Sequence, residues 1–94
     1  MGRLSKEEIQ DRLAQLPGWQ VTDGSLRKQF TFSAFSEGIR FVDRVAELAD
    51  AADHHPDIDI RYRNVVMSLM THSAGAITEK DFTLARQINQ AAST

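Results

Sequence analysis

His54 and His55 stand side by side, with Asp53 before them and Pro56 after, and the third and last histidine of the chain, His72, lies far along the sequence. An unperturbed imidazole titrates near about 6.5, so at neutral pH one ring can give a proton while another takes one. The same residues allow two other readings. A lone histidine at the end of a strand is commonly a surface or packing residue, although convergence of three weakens that reading. Imidazoles with a carboxylate from Asp50, Asp53 or Asp57 could also hold zinc. Adjacent residues seldom aim both rings at one point, however, and neither His-x-x-x-His nor His-x-His spacing occurs. With no cysteine in the chain and no serine nucleophile evident beside the rings, the chemistry left to them is addition or elimination of water, or isomerisation.

The composition narrows the setting. Ninety-four residues, 41% hydrophobic and 26% charged, fit one domain spanning 1–94. A chain this short encloses little, so a small-molecule site requires a shallow groove or a neighbouring subunit. A net charge of −2 offers no general attraction to nucleic acid or anionic membranes. The absence of cysteine excludes disulfides and thiolate metal sites. No apolar run approaches the roughly 20 residues of a membrane span, and "MGRLSKEEIQ" lacks the apolar core of a signal peptide, so a cytoplasmic location is expected.

The elements that must position the histidines follow from periodicity. "LSKEEIQDRLAQL" places Ser5 three residues before Glu8, a capping box, with Leu4, Ile9, Leu13 and Leu16 along one face, and Pro17-Gly18 closing a short helix. "WQVTDGSLRKQFTF" reads as a hairpin turning at Asp23-Gly24. Residues 34–52 form a long amphipathic helix with Phe35, Ile39, Val42, Val45, Leu48, Ala49 and Ala52 on the apolar side, and Gly38 marks close packing against a neighbour. Pro56 stops continuation, so the histidine pair falls at a helix-to-strand junction. "DIDIRYR" and "VVMSLMTH" alternate strictly, "SAGAI" is a loop, and a last helix opens at Thr78 with Asp81 three residues on. The predicted fold is α+β: a four-stranded antiparallel sheet with three helices on one face, in the order α-β-β-α-β-β-α. Ile58, Ile60, Tyr62, Val65, Met67 and Leu69 are expected beneath the long helix, and the exposed sheet edge and the glycine in that helix favour self-association.

A two-residue turn at Arg63-Asn64 would pair Tyr62 with Val65, Ile60 with Met67 and Ile58 with Leu69. Continued to the strand ends, this register places His55 opposite His72, roughly 5.5 Å apart at Cα. Two carboxylates are available to tune the rings. Asp50 lies one helical turn before His54, and Asp81 either caps the last helix or orients His72.

Taken together, Asp50, His54-His55-Pro56, Tyr62, Thr71-His72 and Asp81 form a pattern that resembles the pterin-4a-carbinolamine dehydratase family. "LPGW", "FTFSAF", "VAELAD", "THSAGAITEKD" and "LA" are similar to the family in order and spacing over nearly the whole chain. Ile58, where some members carry tryptophan, Ala76, often glycine, and a displaced Asn64 depart from the pattern. The resemblance implies dehydration of a 4a-hydroxytetrahydropterin to the quinonoid dihydropterin, recycling the cofactor of aromatic amino-acid hydroxylases, with no metal or organic cofactor. It implies His54, His55 and His72 as catalytic residues, with His54 and His72 as acid and base in unassigned order and His55 on the pterin. The pterin-binding set it implies is Asp53, His54, His55, Pro56, Met70, Thr71, His72 and Ser73, with Asp50 and Asp81 as supporting carboxylates. It further implies a homodimer or homotetramer and a functional link to an aromatic amino-acid hydroxylase. Its alternative is a non-catalytic module that acts as dimerisation cofactor of a transcription factor.

Overall fold

The computed structural model describes residues 2–93. Helix α1 (Lys6–Leu13) starts at the expected capping box: Glu8 N–H donates to Ser5 Oγ at 3.1 Å and Ser5 N–H to Glu8 Oε1 at 2.8 Å. It ends four residues before Pro17 because the chain tightens there, Gln15 N–H bonding Arg12 O and Leu16 N–H bonding Leu13 O. That tight turn drops Leu16 and then Trp19 into the core.

Strands β1 (Gln20–Thr22) and β2 (Ser25–Thr31) form the first hairpin, with Asp23 and Gly24 both at positive φ (51° and 79°), the backbone a two-residue turn demands. Helix α2 (Phe35–Ala52) follows, then β3 (Asp57–Arg61), β4 (Asn64–Leu69) and α3 (Glu79–Ala92). The four strands pair antiparallel in the order β1-β2-β4-β3. Order of elements and sheet type are as expected from the periodicity.

Three details differ from the sequence reading. The buried line of α2 is Gly38, Phe41, Val45 and Ala49: Val45 and Ala49 are as expected and Val42 and Leu48 pack beside them, but Phe41 and Gly38 replace Phe35 and Ile39 at its start. Phe41, fully buried, meets the rings of Phe30 and Phe32 at 4.8 and 5.0 Å, whereas Phe35 is half exposed. Both lines have helical spacing. Gly38 lies on the sheet-facing line, where a Cβ would meet Val65 Cγ2 at 3.4 Å and Phe32 at 3.5 Å, ordinary contact distances that show the helix packing on its own sheet at that point. The close neighbour of Gly38 is therefore this sheet.

The second difference is register. The β3–β4 turn is Tyr62-Arg63, flanked by Arg61 opposite Asn64, so Ile60 meets Val65 and Ile58 meets Met67. A shift of two residues leaves every side chain on its expected face, and hydrophobic alternation therefore does not distinguish the two registers. Backbone bonding does: Phe32 N–H donates to Arg63 O, and the Asn64 side chain accepts from Thr31, which pins the turn against β2 while Tyr62 takes φ 52°. The ladder ends at Asp57 opposite Ser68, so the pairing of His55 with His72 does not occur.

The third concerns burial. Val65, Met67 and Leu69 on β4 are fully buried, but on the edge strand β3 Ile58 is 37%, Ile60 40% and Tyr62 70% exposed. Helix α2 does not cover the edge strand of its own sheet.

Candidate functional site

Helix α2 ends in a left-handed residue. Asp53, at φ 49° and ψ 44°, reverses the chain while the N–H groups of Asp53 and His54 bond back to the last turn, the latter to Ala49 O at 3.1 Å. This cap decides where the two histidines go. His54 no longer continues the helical face of Asp50. Its ring swings toward the start of α3, where Nε2 lies 2.6 Å from Asp81 Oδ1, and the side chain is only 10% exposed. His55 turns the other way, over the helix end, with Nε2 2.9 Å from Asp50 Oδ1 in the open. The carboxylate partners are thus exchanged relative to expectation: Asp81 orients His54 rather than His72, and Asp50 pairs with His55 rather than His54.

Asp81 is fully buried in the first turn of α3, where a negative charge meets the positive end of the helix dipole. Its Oδ2 accepts from the Thr78 N–H at 2.9 Å, completing the cap, and from the Thr71 hydroxyl at 2.9 Å, which leaves Oδ1 for His54. Thr71 and Thr78 hydroxyl oxygens are 2.7 Å apart. Since the one hydroxyl proton of Thr71 goes to Asp81, Thr78 must donate to Thr71. A carboxylate has only acceptor oxygens, so the bond to His54 requires a proton on Nε2 and leaves Nδ1 as the free ring nitrogen in the neutral form. Every buried side-chain polar atom among the described residues has a partner.

His72 stands one residue beyond Thr71, exposed, at the start of a turn closed by two backbone bonds between Thr71 and Ala76. Of the expected site residues, the fold brings His54, Thr71 and Asp81 into one bonded set and seats His72 next to it along the chain. His55 and Asp50 form a separate surface pair. Asp53 and Ser73 are exposed, Pro56 and Met70 half-buried, and Thr71, only 3% exposed, points inward. The sequence presents Thr78 only as a cap. Its place three residues before Asp81 was visible in the sequence, but its contact with Thr71 depends on how the 71–76 turn folds. Among the described residues no three His, Asp or Glu side chains gather as a metal-ligand set.

The concavity touching His54 is a groove of about 200 Å³ between the end of α2 and the first turns of α3, lined by Ala52, Glu79, Lys80, Thr83, Leu84 and Gln87. That is below the roughly 300 Å³ at which small-molecule pockets begin. A larger hollow, about 460 Å³, lies between α2 and α3 at Arg44, Leu48 and Gln90 and touches no histidine. Helix α1 is tied to the start of α3 by Arg12, whose Nε donates to both oxygens of Glu79 at 2.9 and 3.0 Å. That bond holds the Glu79 carboxyl below the usual glutamate range.

Comparison with known proteins places this arrangement. The family model described as pterin 4 alpha carbinolamine dehydratase matches residues 2–91. The chain is 51% identical over 90 residues to a protein of Mycobacterium sp. (strain KMS) assigned to the pterin-4-alpha-carbinolamine dehydratases, covering 96% of each chain. A protein of Roseiflexus sp. (strain RS-1) with the same assignment is 53% identical over 88 residues, 94% of this chain and 95% of its own. A crystal structure of a transcriptional coactivator/pterin dehydratase from Brucella melitensis superposes with a TM-score of 0.93 at 36% identity, covering 96% of this chain and 98% of that one. A pterin dehydratase-like RuBisCO assembly factor of the alpha-carboxysome shares the fold, with a TM-score of 0.66 at 23% identity over 81% of this chain and 88% of its own.

Proposed function

Since the chain belongs to the pterin 4 alpha carbinolamine dehydratase family, a family of hydro-lyases, we propose that it dehydrates a 4a-hydroxytetrahydropterin to the quinonoid dihydropterin by histidine acid-base catalysis. The observation that carries the mechanism is the His54–Asp81 pair, joined through Thr71 to the turn that bears His72. The reaction breaks the C4a–O bond. An acid protonates the departing hydroxyl, which leaves as water. Electron release from a ring nitrogen expels it, and a base removes that nitrogen's proton. His54, oriented by Asp81 with Nδ1 free, and His72 are suited to these two transfers, each worth about 10²- to 10⁴-fold. His55, steadied by Asp50, is suited to hold the pterin alongside Asp53, Pro56, Met70 and Ser73. No step asks for a metal or organic cofactor. In the cytoplasm this activity would return pterin to an aromatic amino-acid hydroxylase.

The small groove at His54 and the uncovered apolar side of β3 support a homo-oligomer, dimer or tetramer. The free backbone edge of β3, with Ile58 and Ile60 beside it, is the kind of surface a second copy covers. Sedimentation of the purified chain at micromolar concentration should give more than the monomer mass; a monomer throughout would remove this part of the reading. A protein-binding module, the other role the resemblance implies, would show no histidine-dependent turnover.

The decisive assay is carbinolamine dehydration with and without the protein. The wild type should accelerate it, and a chelator should leave the rate unchanged. His55→Ala should raise KM more than it lowers kcat. Absence of acceleration by folded wild type would sink the proposal.

A further inference from the structure

We propose that Thr71 is a positioning residue: through its hydroxyl it holds the plane of the Asp81 carboxylate that orients the His54 ring, and through its backbone it ties the His72 turn to the same carboxylate. The catalytic part of this inference rests on the dehydratase reading above; the structural part does not.

Thr71 lies just beyond β4 and belongs to two hydrogen-bonded units at once. Its side chain is in the buried chain Thr78–Thr71–Asp81–His54, with separations of 2.7, 2.9 and 2.6 Å. Its backbone closes the turn that follows: Thr71 N–H donates to Ala76 O, and Thr71 O accepts from both Ala74 and Ala76. His72 is the next residue. The carboxylate of Asp81 can present Oδ1 to His54 only while its plane is held, and the two donors that hold it are Thr78 N–H and the Thr71 hydroxyl, both on Oδ2. The helix start supplies the first of these whatever the side chain at 71. The second comes from Thr71 alone and locks the direction of the whole chain, because a hydroxyl donating to Asp81 must accept from Thr78. At 3% exposure Thr71 has little surface to offer a ligand through its side chain, so its effect passes through other groups.

The valine and serine variants separate hydroxyl from methyl. Thr71→Val keeps shape and removes the donor; Thr71→Ser keeps the donor and removes the methyl. In ¹H–¹⁵N spectra of the full chain, the wild type should show a slowly exchanging His54 Nε2–H, identified by its loss in His54→Gln. Thr71→Ser should retain that signal and the His72 amide position. Thr71→Val should lose the ring signal to exchange, shift the His72 amide, and lower kcat by about 10- to 10²-fold with KM little changed. Should Thr71→Val fail to fold, the serine variant decides alone: retention of ring signal and kcat supports the hydroxyl role, and their loss overturns it. A folded Thr71→Val with wild-type ring signal and kcat also overturns it. If the wild type proves inactive, the dehydratase reading fails, and the ring spectra still judge the coupling.

Discussion

Replacing Asp81 by asparagine changes one atom and should change the protonation of a residue it touches. Asparagine offers one acceptor oxygen and one NH₂. The Thr78 N–H and Thr71 hydroxyl both need an acceptor at the Oδ2 position, at 2.9 Å each, so the amide oxygen belongs there and the NH₂ then faces His54 Nε2. To accept from it, His54 must shift its proton to Nδ1, the nitrogen proposed to face the substrate. All three charge-assisted bonds to Asp81 become neutral ones, at about 1 kcal/mol each. Loss of a charge at the start of α3 adds about 0.5 kcal/mol. The expected destabilisation is therefore about 3–4 kcal/mol, within the roughly 5–14 kcal/mol available to a domain of this size. Asp81→Ala, which strands the buried donors and histidine, should lose about 3–5 kcal/mol. Urea unfolding followed by circular dichroism measures both, ring ¹⁵N shifts report the tautomer, and dehydration turnover should fall by about 10²- to 10⁴-fold in folded Asp81→Asn. A folded Asp81→Asn protein with Nε2 still protonated and wild-type turnover would refute the reasoning.

Three further outcomes are expected. His72→Ala, at an exposed turn position, should leave the unfolding midpoint within error and lower the dehydration rate by about 10²-fold; full activity in the folded variant removes His72 from the mechanism. Asp53→Gly should raise stability by about 0.5 kcal/mol, because the left-handed cap strains a residue with a Cβ, and a lower urea midpoint would contradict this. The Arg12 bond lowers the folded-state value of Glu79 below its unfolded one, so its contribution is present at neutral pH and is lost as pH falls through the folded value. Glu79→Gln should therefore lose less stability than wild type between neutral pH and the acid side of the glutamate range; parallel losses would show that the clamp contributes nothing.

The apolar period of α2, the Ser5–Glu8 and Thr78–Asp81 helix starts and the Asp23-Gly24 turn all depend on residues within a few positions of one another, and they reappear in the structure. The family, too, was legible, because its residues recur in order along the chain. Choices among locally equivalent options were not legible. Periodicity alone left the exact line of α2 that faces the sheet open, and the packing of Phe41 on Phe30 and Phe32 places it. Either β3–β4 register keeps Ile58 and Ile60 on one face, and a backbone bond from Phe32, more than thirty residues away, chose between them. The exchange of carboxylates arose the same way. Asp50 is near both histidines in sequence, but the left-handed turn at Asp53 separates the rings, and only packing of α3 against the end of α2 brings Asp81 to His54. Local chemistry named the groups that can move protons. Which carboxylate holds which ring depends on distances between segments remote in sequence, and those are set by burial of the core that joins them.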